Sequence, residues 1–239
     1  MLRLSEPYDP NNVLDRLSDP DTLSVHYEQE YRRERELLER RLPLRAGEVL
    51  SVGCGWHPGR HLFPAPAFRM TGVELDGAVV AALVESGELD EGVAGRAGEL
   101  PFRDESFDVV LYRLVLHHIA FQGPLRPVFE EARRLLRPGG ALVAVEPSLW
   151  HPVGAALAVA NRVGLAPLFH GTPDDVPLSP AALVREARAA GLRPELHGVT
   201  YGWRRLPPAL QRAVQRLDPA GSRTRAAPFA HTLMLIARR

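Results

Sequence analysis

Short apolar runs alternate along this chain with segments whose apolar residues recur every three or four positions. The runs Val49-Leu50-Ser51-Val52, Met70-Thr71-Gly72-Val73, Val109-Val110-Leu111-Tyr112 and Ala141-Leu142-Val143-Ala144-Val145 lack a regular polar alternation, which marks strands buried on both faces. Strands are therefore expected over 48–52, 70–74, 107–112 and 141–145, with a last one over 232–237. Helical periodicity covers 77–86 and 127–136, the latter ending at Arg137-Pro138-Gly139-Gly140, a helix stop and turn. A first helix is expected over about 24–41, with Ser24 as its N-cap and a dense alternation of Glu and Arg. Tyr27 and Tyr31 share one of its faces, which is read as packing on the core. After Glu146-Pro147 the pattern becomes Pro- and Gly-punctuated through residue 178, with one apolar helical stretch over 153–163. Ser179-Pro180 opens a well-marked helix that Gly191 closes. Strands and helices in alternation predict a parallel, doubly wound α/β sheet. The organisation expected is an N-terminal helical cap over 1–44 and one domain over 45–239, with a substrate-side insertion at 148–178.

The run at 49–52 leads straight into Gly53-Cys54-Gly55, and the next strand ends at Glu74. Glycines after a strand let the backbone approach a ligand closely. An acid closing the following strand can accept hydrogen bonds from a ribose diol. Together they describe a site for an adenosine-containing cofactor.

Composition narrows the picture in four ways. The 29 basic residues, all arginine, balance 29 acidic ones, so nucleic acid is not an expected partner. Cys54 is the single cysteine, which excludes an intrachain disulfide and a cysteine-rich metal site. The N-terminal residues have no signal-peptide core, and the longest apolar run, 153–169, is interrupted by Asn161, Arg162 and Pro167. No membrane span is expected, and the reading is a cytoplasmic protein.

Five segments in order carry a family resemblance. Residues 49–55 are similar to the first motif of class I S-adenosylmethionine-dependent methyltransferases, and Thr71-Gly72-Val73-Glu74-Leu75-Asp76 to the second. Residues 95–110 look like the third and fourth. Leu116-His117-His118-Ile119 and the stretch 130–140 match later signatures. The subgroup it most resembles methylates quinone precursors and other small molecules. The resemblance covers about residues 45–147 and implies a Rossmann-like, mostly parallel seven-stranded sheet with an antiparallel last strand. It implies S-adenosylmethionine as cofactor, with Gly53, Cys54 and Gly55 under its methionine part, Glu74 on the ribose, and Leu75 and Ala97 against the adenine. Residues 112–114, Arg113 among them, open the fourth strand to the site.

Three departures from the family pattern carry expectations of their own. Ser51 replaces a frequent acid. His57 stands for the usual third glycine, and Pro58, Pro64 and Pro66 fall where a long helix normally runs, so that helix is expected to be shortened or broken. Its service to the cofactor carboxylate would pass to Arg60 or a histidine. Arg96 replaces an acid that accepts from adenine; arginine has no acceptor, so adenine would rely on backbone groups and stacking.

Methyl transfer from a sulfonium to a protonated acceptor needs a base. His118 is the candidate; its neighbour His117 is read as structural. His151, His170 and Glu146 are alternatives. A metal held by His170, Asp174 and Asp175 is disfavoured, because the spacing fits no dedicated motif. A nucleophilic role for Cys54 is also disfavoured. Trp56 and Trp150 are either pocket walls or ordinary packing. The stretch 153–169 is read as a lid over an apolar acceptor, with a homodimer contact as the alternative. The expected function is methyl transfer to a small, partly apolar molecule. The competing reading is a catalytically silent binding or partner protein on the same fold, for which Arg96, His57 and the Pro-broken helix are the sequence support. A nicotinamide dehydrogenase is ranked low because Pro58 occupies the place of its third glycine. Protein acceptors stay open.

Overall fold

The computed structural model describes residues 20–165, 176–203, 206–216 and 225–239. Seven strands form one sheet: β1 (Gly47–Val52), β2 (Phe68–Glu74), β3 (Glu91–Ala94), β4 (Phe107–Arg113), β5 (Leu136–Pro147), β6 (Arg193–Thr200) and β7 (Thr232–Arg238). Their order is β3-β2-β1-β4-β5-β7-β6. The first five run parallel, while β7 lies antiparallel to both β5 and β6. Among the described residues seven helices surround it: α1 (Pro20–Arg41), α2 (Gly77–Glu85), α3 (Leu116–Gln122), α4 (Arg126–Leu135), α5 (Pro152–Arg162), α6 (Pro180–Ala189) and α7 (Pro208–Gln215), with a 3-10 turn at Ala227–Phe229. The expected doubly wound α/β architecture, including the antiparallel last strand, is what the chain adopts.

The strands are apolar throughout because both faces are covered. Leu50, Val52, Val110, Tyr112, Leu142 and Ala144 pack on one side with α4 and α6. Val49, Val109, Leu111, Val143, Met234 and Ile236 pack on the other with Leu37 and Leu38 of α1, Leu42 just after it, and Leu83 of α2. Burial of such side chains stabilises by about 1.5–3 kcal/mol each.

Three local expectations change. α1 begins at Pro20, so Ser24 lies inside it rather than capping it; proline suits a first helical turn, where its missing N–H is no loss. The expected turn at residues 137–140 is instead part of β5, which starts at Leu136 and carries a register shift opposite Phe107 and Val109. The crossover from β1 to β2 (residues 53–67) contains only turns and loop, so the first helix is absent rather than shortened. Leu62 and Phe63 are buried in its place over the sheet face. Two edge strands, β3 and β6, and helix α7 complete the architecture without having been located in the sequence. His170, Asp174, Asp175 and the end of the 153–169 stretch lie outside the described residues. Among the described residues no group of His, Cys, Asp and Glu is arranged to hold a metal, and no helix is long and apolar enough to cross a membrane.

Candidate functional site

β1 ends in the glycine turn, and the turn is tied to β2. The N–H groups of Gly53 and Cys54 both donate to the Val73 carbonyl, at 2.8 and 3.1 Å. Glu74, half-buried at the end of β2, accepts from the N–H of Gly55 at 3.0 Å and of Leu75 at 2.8 Å. One carboxylate thus fixes the tip of the turn to the end of the neighbouring strand. It has acceptor capacity for more than these two bonds.

Glycine is required at Gly53 twice over. Its φ is +62°, and a Cβ there would stand 2.2 Å from Val115 Cγ2. At Gly55, φ is +47° and a Cβ would meet nothing within 4 Å, so the turn faces open space on the side where a ligand would approach. Leu75 is exposed beside it. Asp76 caps α2, accepting from Ala78 N–H at 2.8 Å, which leaves Glu74 as the acid that faces the turn. Cys54 is buried; burial first, and the nearby Glu74 second, push its thiol up to about 12, so it stays protonated and is no nucleophile. Ala97 is half-buried against the Leu100 side of the core, and Arg96 is exposed.

Arg60 does not serve the site. Its guanidinium donates to the carbonyls of Glu88 (2.8 Å) and Phe68 (2.9 Å) and to Asp90 Oδ2 (2.5 Å). Phe68 begins β2, so Arg60 is anchored at the amino edge, about 20 Å of strand from Glu74.

The end of β4 holds a network that the sequence did not announce. Arg113 donates through Nε and an Nη to the two oxygens of Glu34, both at 3.2 Å, and its guanidinium lies 4.8 Å over the Tyr31 ring. His61, from the helix-free crossover, meets Glu34 Oε2 at 2.8 Å and stacks on Tyr31 at 4.3 Å. Burial alone would raise the Glu34 carboxyl, but Arg113 and His61 bring it down to about 2. The Arg113 guanidinium, expected to face a cofactor, is therefore engaged by α1, and only its backbone remains for such a role. Farther along α1, Glu30 accepts from the Thr232 hydroxyl at 2.5 Å, with His26 Nε2 at 4.0 Å. His26, Glu30 and Glu34 are all buried. Their spacing of four, in phase with Leu37, Leu38 and Leu42, was the available signal. The inner face of α1 thus packs on the sheet at one end and crosses its carboxyl edge at the other.

After β4, Leu114 adopts φ +55° and α3 begins. Glu146, fully buried at the end of β5, accepts from the N–H groups of Val115 (3.0 Å) and Leu116 (2.7 Å) and pairs with His117 Nδ1 at 2.6 Å. These bonds satisfy the start of α3 and occupy both carboxylate oxygens, so Glu146 is not the base it was considered to be. His117 is structural, as expected. His118 is half-buried, its ring 4.1 Å from that of His117. His151 also drops out as a base: it caps α5 by accepting from Val153 N–H at 3.3 Å and donates from Nε2 to the Tyr201 carbonyl at 3.3 Å. Burial lowers its pKa, although the Tyr201 bond opposes this.

Residues 50–144 match the family model described as a methyltransferase domain. A probable S-adenosylmethionine-dependent methyltransferase of Mycolicibacterium smegmatis is 31% identical over 190 residues, covering 77% of this chain and 65% of that protein. The 27-O-demethylrifamycin SV methyltransferase of Amycolatopsis mediterranei is 37% identical over 131 residues, 51% of this chain and 47% of that one. The chain thus spans less than two thirds of the length of these curated relatives. A solved S-adenosylmethionine-dependent methyltransferase from Aquifex aeolicus superposes with a TM-score of 0.58 at 14% identity, over 96% of this chain and 98% of its own, a likeness of fold. The strand order, the glycine turn clamped by the acid that ends β2, and these matches together identify residues 50–144 as a methyltransferase domain, similar to S-adenosylmethionine-dependent methyltransferases.

Proposed function

We propose that this protein transfers a methyl group from S-adenosylmethionine to a small, partly apolar acceptor by in-line displacement. The observation that carries the reading is the Glu74 clamp: a half-buried carboxylate holding a glycine turn that is open at Gly55. When bound, S-adenosylmethionine supplies an electrophilic methyl group on a sulfonium. Gly53, Cys54 and Gly55 give the backbone surface for its amino-acid part, and Glu74 the acceptor for its ribose. Leu75 and Ala97 flank the adenine, and the Arg113 backbone borders the site. The Amycolatopsis relative, named for a rifamycin derivative, supports a non-macromolecular acceptor.

Calorimetry with S-adenosylmethionine and S-adenosylhomocysteine is the direct test. Micromolar binding of both is expected; a folded protein that binds neither would instead be a silent member of the fold. His118, beside the end of β4, is proposed as the base for an acceptor that must lose a proton. Replacing it with Gln is expected to lower kcat about 100-fold with cofactor affinity unchanged. A variant with wild-type kcat across the pH profile would remove His118 from the mechanism.

A further inference from the structure

We infer that the outward faces of α5 and α7 form a docking surface for an anionic lipid bilayer, on which the chain sits with the carboxyl edge of its sheet toward the headgroups. A helix on the surface of a soluble domain turns its apolar stripe to the core and its polar residues to water. α5 does the reverse. Its exposed positions recur every three or four residues, at Pro152, Ala155, Ala156, Val159, Arg162 and, just past its end, Val163; the single charge among them is Arg162. Val159 and Val163 are 62% and 64% exposed, and within the helix Gly154 alone is buried. α7 is inverted as well: Gln211 is 3% exposed, while its neighbour Leu210 is 50% exposed. Arg212 and Arg216 are exposed too.

The two helices hang from one place. His151, the N-cap of α5, bonds the Tyr201 carbonyl at 3.3 Å. The next residue, Gly202, lies against α7, where a Cβ would meet Gln211 and Val214 at 3.9 Å. At the base of α5 the rings of Trp150 and Phe229, 5.7 Å apart, are 41% and 52% exposed. The charge of this surface points to its occupant. Asp and Glu are absent from residues 147–173 and 196–217, although acidic and basic residues balance over the whole chain. Exposed apolar side chains with arginines and no acid are complementary to negative headgroups. The apolar groups enter the acyl boundary, the guanidinium groups stay at the phosphates, and tryptophan favours that boundary. A second copy docking by the same face brings no acid to these arginines. β1, β4 and β5 run parallel, so the glycine turn opens on the same edge and the docked chain faces it toward the lipid.

The test sediments the full chain, without cofactor, with vesicles of phosphatidylcholine and with vesicles of equal parts phosphatidylcholine and phosphatidylglycerol. Partition onto the anionic vesicles is expected to be higher by about tenfold or more, since each basic side chain at a negative surface contributes about fivefold. Raising the salt should erase most of that difference. Val159→Asp combined with Val163→Asp is expected to weaken anionic-vesicle binding about tenfold with the melting midpoint unchanged, because both side chains are already exposed. Arg212→Gln combined with Arg216→Gln should shrink the preference for anionic over neutral vesicles and leaves the apolar face intact. Equal partition onto the two vesicles, sedimentation with neither, or undiminished binding by the Val159→Asp, Val163→Asp chain would overturn the inference. So would a dimer in solution that this double variant dissolves, because the face would then belong to a second copy.

Discussion

Glu74→Ala is expected to weaken S-adenosylhomocysteine binding about 100-fold while leaving the melting midpoint within a few degrees of wild type. Two contributions combine. A ribose diol on a carboxylate makes two charge-assisted hydrogen bonds, each contributing about 1.5–3 kcal/mol. Discounted for competing water, their loss is about 3 kcal/mol, or about 100-fold in affinity. The second contribution is order: the carboxylate also holds the amides of Gly55 and Leu75, so without it the tip of the turn loses its tie to β2. Glu74→Gln keeps the shape and one acceptor oxygen, and should cost about tenfold. Calorimetry separates the three proteins. An Ala variant within about threefold of wild type would remove Glu74 from the cofactor site.

Glu34→Gln acts first on stability. Its carboxylate is fully buried between Arg113 and His61, and breaking a buried pair strands the remaining charge, at about 3–5 kcal/mol. For a chain of this size that lowers the melting midpoint by about 10 °C. The pH dependence has a definite sign. The carboxyl titrates near 4.5 in the unfolded chain and near 2 in the folded one. The folded value is depressed, so its contribution, about 3 kcal/mol, is complete above the unfolded value and fades as pH falls toward the folded one. The gap between wild type and Glu34→Gln should therefore be widest near neutral pH and close on acidification below 4.5. Equal midpoints at neutral pH would show that the ion pair contributes nothing. Replacing Glu34 and Arg113 together by Leu should recover most of the loss, because no charge is then left buried and unpaired.

The features legible in the sequence were those in which local pattern and tertiary role coincide. Residues 49–52 and 109–112 are apolar because they are central and covered on both faces. Gly53 had to be glycine, and the residues 58–66 could not form a helix with three prolines among them. What stayed hidden depends on partners distant in sequence. β3 and β6 are edge strands, paired on one side only, and Glu91, Gly92, Glu195 and His197 give them no apolar run. Glu30 and Glu34 sit among exposed Glu and Arg residues and read as a solvated face, until Arg113, 79 positions on, and Thr232, 202 positions on, meet them. Arg113 was opaque for the same reason: it stands at the end of β4, but its charge is engaged by α1.

The engagement of Arg113 by Glu34 has one more consequence. The end of β4 borders the glycine turn, and its backbone is held in place by a helix from the other end of the domain. A ligand that favours the ordered end of β4 must favour the docked helix as well. By reciprocity, the docked helix strengthens the ligand by the same factor. α1 is in that sense an effector carried within the chain, and its docking shares a single coupling free energy with the loading of the pocket.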